Sequence, residues 1–161
     1  MKKSIAVESR QELFGAVLHP NHDWTKNTPG KAQFLKFGNT ILCNFHGLWV
    51  RDIFKQDNQQ RLEQSKQIRT LLNNLDGEKI ICGDFNIVTE SQSIAILEKG
   101  MRNLIKEFNI TSTRSSHYTK DLKFADYILV SAGIKVKDFK VLQDEVSDHL
   151  ALMLNFENRR K

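Results

Sequence analysis

The sequence predicts an α/β domain, a mixed and largely antiparallel sheet with helices on its outer face. Three observations carry that expectation. Apolar runs of strand length recur along the chain, among them Ile80-Ile81-Cys82, Tyr127-Ile128-Leu129-Val130 and the stretch from Leu150 to Phe156. Gly38-Asn39 joins two alternating runs at residues 32–37 and 40–45, and both residues tolerate the positive φ that a two-residue hairpin turn requires. Residues 56–75 place Leu62, Ile68, Leu71, Leu72 and Leu75 near helical spacing and lead directly into the run at Ile80.

A length of 161 residues, 40% hydrophobic and 27% charged, is one domain of ordinary globular composition. In chain order, residues 4–7 and 13–18 are short strand candidates, with the polar residues 8–12 between them predicted as a turn. Residues 21–30 form a loop punctuated by Asn, Asp, Pro and Gly, and the hairpin follows. The long helix is expected to start at Asp57 as its N-cap and to stop at Asp76-Gly77, with Arg61, Glu63, Lys66 and Arg69 on its outer face. Two shorter helices are predicted over 90–98 and 101–108, split by Gly100. Residues 111–123 read as a polar loop, and 125–131, 134–141 and 150–156 as strands. The tail from 158 to 161 is basic and expected to fray.

A formal net charge of +5 favours polyanionic partners, nucleic acid or phosphorylated substrates, although it also simply aids solubility. Cys43 and Cys82 both lie in apolar runs, the pattern of buried free thiols in a reducing compartment rather than of a disulfide framework. No apolar segment has the length of a membrane span, and Met1-Lys2-Lys3 is not followed by the apolar run of a signal peptide, so a cytoplasmic location is expected.

Chemistry concentrates where the apolar runs end. Asp84 and Asn86 are two residues apart beyond Gly83, so an extended backbone would put both oxygens on one side and Phe85 in the core. Such a pair suits a hard cation or a phosphate ester, while Gly, Asp and Asn also serve as plain turn formers. Ser147-Asp148-His149 stands at the entrance of the last apolar run, and Asp126 at the start of another. A buried Asp is costly unless paired, and the partner expected is a histidine ring nitrogen.

Gly83-Asp84-Phe85-Asn86, Asp126-Tyr127-Ile128 with Val130-Ser131, and Ser147-Asp148-His149 resemble three ordered signatures of the endonuclease/exonuclease/phosphatase superfamily. That superfamily includes deoxyribonuclease I, apurinic endonucleases, inositol polyphosphate phosphatases and neutral sphingomyelinases. The resemblance runs from about residue 34 to 156. It implies a deoxyribonuclease I-like four-layer α/β sandwich, present in part, and a phosphoesterase using magnesium or manganese on nucleic acid or another phosphate ester. It further implies His149 as the group that activates water, Asp126 as its partner, and Asp84 and Asn86 around the nucleophile and phosphate. Asp84, Asn86 and Asp148 fall on the metal side. His46, at the end of a strand, matches the family's contact to the scissile phosphate, although a lone His there is often only a surface residue.

Trp49 would line a substrate groove or fill the core, and Arg114 would clamp a phosphate or stand solvated. The family domain is longer, and its front half carries an Asn and a metal-binding Glu with no convincing counterpart here. Glu8 is a weak candidate for the Glu. Two outcomes are therefore expected side by side: an active hydrolase, or a truncated binding or assembly module that self-associates or needs a complementary front-half chain.

Overall fold

The structure, a computed structural model, describes residues 7–13, 27–28, 30–50 and 55–158. Its elements in order are β1 (Val7–Leu13), β2 (Asn27–Thr28), β3 (Lys31–Phe37), β4 (Thr40–His46), β5 (Trp49–Val50), α1 (Gln59–Asn73), β6 (Glu78–Asp84), α2 (Gln92–Glu98), β7 (Met101–Asn103), α3 (Leu104–Glu107), β8 (Asp126–Ser131), β9 (Ile134–Val141) and β10 (Leu152–Asn158).

Six strands form one sheet in the order β1-β3-β4-β6-β8-β7. Only β4 and β6 run parallel; every other neighbour is antiparallel. Parallel neighbours need a crossover, and α1 supplies it, which is why the longest helix lies between the strands that carry His46 and Asp84. The hairpin of β3 and β4 turns at Gly38, whose φ of 57° suits the two-residue connection, and Phe37 opposes Thr40. A second, two-stranded sheet of β9 and β10 adds Phe139 to the core and packs Leu152, Leu154 and Phe156 against it, with Phe156 6.4 Å from the Phe37 ring. This is the mixed sheet with flanking helices that the sequence predicts.

Several local expectations are corrected. The turn expected over residues 8–12 is part of a continuous strand, β1, in which Glu8 opposes Lys36 and Glu12 opposes Ala32. A polar run is compatible with a strand at the end of a sheet, where charge is tolerated. The remainder of the two flanking strand candidates, the loop at 21–26 and the tail at 159–161 lie outside the described residues. The helix predicted over 101–108 begins instead as β7, pairing with β8, because Gly100 at φ 74° reverses the chain against that strand; only then does Asn103 cap α3 through the Ile105 amide.

The long helix departs from its pattern in a way that bears on function. Its cap is Asn58, whose Oδ1 accepts from the Arg61 amide at 2.8 Å, and not Asp57. Arg61, expected on the outer face, is 2% exposed and donates to the carbonyls of Leu48 (3.3 and 3.4 Å) and Gln56 (2.5 Å). Gln64 accepts from the Leu48 amide at 2.9 Å. A buried guanidinium is tolerable when its donors are met, and here they hold the segment that follows His46. Asp57 crosses to α2, accepting from the Gln92 and Ser93 amides (2.6 and 3.0 Å) and the Ser93 hydroxyl (2.5 Å).

The two cysteines are free, as expected; burial holds the Cys43 thiol far above its usual range and pushes Cys82 up to about 11. No helix among the described residues is long and apolar enough to cross a membrane. Trp49, Phe108, Val146 and Met153 are the large apolar side chains exposed among those residues; they lie on separate elements and give the expected self-association no support.

Burial raises the Asp57 carboxyl, yet the hydrogen bonds from Ser93 and Gln92 outweigh it and hold the group below its ordinary value. A depressed carboxylate contributes stability above its unfolded pKa and loses it as pH falls. Asp57→Ala is therefore expected to cost about 1 kcal/mol near neutral pH, the usual worth of a helix cap, and progressively less on acidification. Urea midpoints of both proteins at pH 7 and in acid check this; a difference independent of pH would contradict it.

Candidate active site

The site stands at one end of the six-stranded sheet. Parallel strands β4 and β6 both finish there, at His46 and Asp84, and antiparallel β8 starts there, at Asp126. The register sets Asp84 directly opposite Asp126. Two carboxylates facing each other across adjacent strands repel unless something positive stands with them. His149 stands between them: its Nδ1 is 2.6 Å from Asp126 Oδ2, and its Nε2 is 3.9 Å from Asp84 Oδ2.

The segment carrying His149 is held by a stretch that reads as a loop in the sequence and behaves as an added strand. Arg114 bridges His149, the Leu150 amide donates to the Thr113 carbonyl at 3.0 Å, and the Ser115 amide donates to the Asp148 carbonyl at 3.2 Å. The Thr113 hydroxyl accepts from the amides of Ala125 and Asp126 at 3.1 and 3.3 Å, tying the same stretch to the start of β8. Both members of the Asp126–His149 pair are thus referenced to one buried residue.

Asn86 and Asp84 are not side by side. Gly83 has φ 128° and Asn86 φ 52°, so the backbone turns rather than extending. The Asn86 amide N–H donates to Asp84 Oδ1 at 2.9 Å, while its side chain, 2% exposed, donates through Nδ2 to the Gly47 carbonyl at 3.3 Å. Gly47 returns its N–H to the Asp84 carbonyl at 2.7 Å and carries no Cβ, which would overlap the Phe85 carbonyl. Phe85 fills the core as expected, 5.2 Å from Phe45 and 5.1 Å from Tyr127.

His46 lies exposed with Nε2 4.0 Å from Asp84 Oδ2. Trp49 is 36% exposed, which does not fit the core alternative. Arg114 is not solvated: its side chain is 5% exposed, it donates to Asp148 Oδ2 at 2.8 Å and stacks 4.1 Å over the Tyr118 ring. An open cavity of about 410 Å³ lies beside the pair, bounded by Asp126, Tyr127, Val146, His149 and Leu150.

Lys55 belongs to this neighbourhood and carries no sequence signal, sitting in the polar run Lys55-Gln56-Asp57. It is 7% exposed and feels the charges of Arg114, Asp84 and Asp126.

A magnesium or manganese ion calls for several hard oxygens around one point. Among the described residues no group of three or more His, Cys, Asp or Glu side chains is arranged to hold an ion. Asp148 has an oxygen on Arg114, the Asn86 amide faces Gly47, and Asp84 Oδ1 accepts the Asn86 N–H. Each of the three residues expected on the metal side thus has one polar group engaged within the protein. What the site does assemble is a carboxylate–imidazole pair, Asp126 with His149. The hydrogen bond that His149 donates to Asp126 raises His149 above its ordinary value against burial, which lowers it. Burial lifts Asp126 itself, and the hydrogen bond to His149 pulls it partly back down.

A family model described as the endonuclease/exonuclease/phosphatase family matches residues 5–149. The chain belongs to that family. Enzymes of the family generally use divalent metals. Among solved structures, the chain is similar to a Bacteroides thetaiotaomicron mannosyl-6-phosphatase, at 19% identity and TM-score 0.67, over 93% of this chain and 66% of that one. A second Bacteroides thetaiotaomicron protein, of the endonuclease/exonuclease/phosphatase family, matches at 19% identity and TM-score 0.66, over 92% and 62%. The catalytic domain of human nocturnin, solved with a bound sulfate anion, matches at 18% and TM-score 0.59, over 96% and 60%. The chain thus spans about two thirds or less of the length of these three structures. No curated protein matches it by sequence.

Asp126→Asn removes the carboxylate whose hydrogen bond does most to raise His149, and leaves burial and Arg114 pressing it down. The imidazole is expected to titrate lower in this variant, toward or below 6.5, as followed by its ring-proton NMR shifts. An unchanged titration would show that the hydrogen bond does not set its basicity.

Proposed function

We propose that this chain is a phosphoester hydrolase in which His149 is the general base, acting on nucleic acid or another phosphate ester. The observation that carries the reading is the pair itself: Asp126 Oδ2 at 2.6 Å from His149 Nδ1, with His149 Nε2 between Asp84 Oδ2 at 3.9 Å and Asp148 Oδ2 at 3.8 Å. With the proton fixed on Nδ1, the lone pair is on Nε2, facing the site. A separation of 3.9 Å between Nε2 and Asp84 Oδ2 is too long for a direct hydrogen bond and short enough for one water to touch both.

In this proposal Asp84 orients that water, His149 takes its proton as oxygen attacks phosphorus, and Asp126 stabilises the imidazolium. His46 and Arg114 donate to phosphate oxygens or to the leaving group, and exposed Trp49 borders the approach. Asn86 and Asp148 hold the frame, Asn86 through Gly47 and Asp148 through Arg114. The fold resemblance to a mannosyl-6-phosphatase and the net charge of +5 support a phosphorylated substrate. Two free cysteines set in apolar strands support a reducing compartment such as the cytoplasm.

A second reading, a phosphate-binding module that hydrolyses little, draws on the absence of a three-donor ion site among the described residues. Assays on plasmid DNA and on bis(p-nitrophenyl) phosphate, with magnesium or manganese added, separate the two. Activity that falls roughly 10²-fold or more in His149→Ala and Asp126→Asn supports the hydrolase, since that is the usual worth of a general base. Saturable binding of an oligonucleotide without turnover selects the module.

The pH profile adds a sharper check. His149 must be neutral to accept a proton, and its pKa is raised above 6.5, so activity is expected to rise with pH through a midpoint above that value. In Asp126→Asn the midpoint should move down while the plateau falls. A midpoint that stays put would remove His149 from the role.

A further inference from the structure

Lys55 has three features that a structural lysine does not combine. Its ammonium is buried and has no hydrogen-bond partner among the described residues, and the residue is 7% exposed. Its φ is 52°, a left-handed conformation that a non-glycine side chain rarely adopts. It is also held by its own carbonyl and by the two residues that follow it. The Lys55 carbonyl accepts from the Val88 amide at 3.0 Å, the Gln56 carbonyl accepts from Arg61, and the Asp57 carboxylate caps α2. Val88 follows the Asp84–Asn86 turn, so this clamp ties Lys55 to the turn that presents Asp84.

The charges that the ammonium feels include those of the site. Burial, with Arg114 next, lowers it to about 8, and Asp84 and Asp126 oppose that fall. Arg114 repeats the anomaly on its own scale. One arm of its guanidinium is satisfied by Asp148, whereas its Nε is buried without a partner among the described residues. Two cationic side chains, one that feels the charges of Asp84 and Asp126 and one paired with Asp148, therefore hold buried N–H donors with no partner among the described residues. A buried donor left unmet costs free energy, and such a cost persists where a ligand meets it. An ammonium and a guanidinium N–H call for an anion that offers several oxygens at once, as a phosphate group does.

We propose that Lys55 is a phosphate-binding residue of this site, its Nζ taking a phosphate oxygen with Arg114 Nε as its companion. The inference rests on the reading of this site as one that receives a phosphate ester, and it assigns the positive charge at the phosphate to a side chain of the protein itself.

The test is binding, with turnover removed from the readout. Inorganic phosphate and dimethyl phosphate are titrated into the full chain in the presence of a chelator, by calorimetry or ³¹P line broadening; the first probes a terminal phosphate, the second a backbone diester. Wild-type protein is expected to bind at least one of them, Lys55→Met to bind it roughly tenfold or more weakly, and Lys55→Arg to recover part of the loss. Thermal melting is measured on the same samples. Because Lys55→Met removes an unmet buried charge, it is expected to melt at or above the wild-type temperature. Phosphate binding unchanged in Lys55→Met, or no binding of either anion by the wild-type chain at millimolar concentration, would overturn the proposal.

A lower melting temperature with binding retained would overturn it too and make the lysine structural. The two readings fail separately. Hydrolysis with Lys55-independent phosphate binding sinks the lysine inference alone, and Lys55-dependent binding by a chain that hydrolyses nothing sinks the hydrolase alone.

Discussion

The opposition of Asp84 and Asp126 across β6 and β8 is the constraint on which the site depends. Antiparallel register sets these two carboxylates face to face at the end of the central strands. Left alone, the arrangement is electrostatically unfavourable. His149 relieves it by bonding one carboxylate and approaching the other, and that relief dictates where the end of the chain must go. The segment at Ser147 to His149 has to reach back over the sheet. It does so by pairing with residues 113–115, which the sequence marks only as polar, and Thr113 then bonds the start of β8. Site geometry and chain topology are one problem here, because the same few hydrogen bonds fix both.

A second tier of constraints acts from behind the sheet. The buried polar face of α1 grips Leu48 by both its amide and its carbonyl, through Gln64 and Arg61. Gly47 lies between that grip and the turn at Asp84 to Asn86, exchanging hydrogen bonds with Asp84 and Asn86. The ends of the parallel strands β4 and β6 are thereby locked to each other beyond the last rung of the sheet. An apolar helix face would pack as well but could not hold backbone in register at this point, since dispersion is not directional and hydrogen bonds are.

How much of this is legible in the sequence follows from the range of each interaction. The hairpin at Gly38-Asn39, the strands ending at Asp84 and starting at Asp126, and the helix between β4 and β6 are written in local periodicity and turn chemistry, and all appear in the structure. The Asp126–His149 contact is legible only through chemistry, as a buried carboxylate in need of a ring nitrogen. Arg61 is not legible, because a charged residue at a helical outer position looks the same whether it meets water or two carbonyls. The turn at Asn86 escapes a local reading because its positive φ depends on the docking of Gly47, which comes from a distant stretch of chain. β1 escapes it for a related reason: its polar residues become a strand only against β3. Lys55 has no signal, since its significance lies in what it lacks.

That last case shows how the stability of this fold and its chemistry pull against each other. Among the described residues the buried side-chain donors without partners are Lys55 Nζ, Gln64 Nε2 and Arg114 Nε. Gln64 is explained by its other end, which is committed to Leu48. The remaining two are both cationic: Arg114 is paired with Asp148, and Lys55 feels the charges of Asp84 and Asp126. A sequence selected for stability alone would replace such groups with apolar ones, which often costs nothing or stabilises. Their retention beside Asp84, Asp126 and His149, on backbone anchored to the turn that bears Asp84, is the pattern of preorganisation: donors fixed before the ligand arrives, with the cost of ordering them met by folding. The rigid central strands make this tolerable. With Asp84 and Asp126 on strand ends and not on free loops, the carboxylates whose charges these donors feel are carried by backbone paired in the sheet.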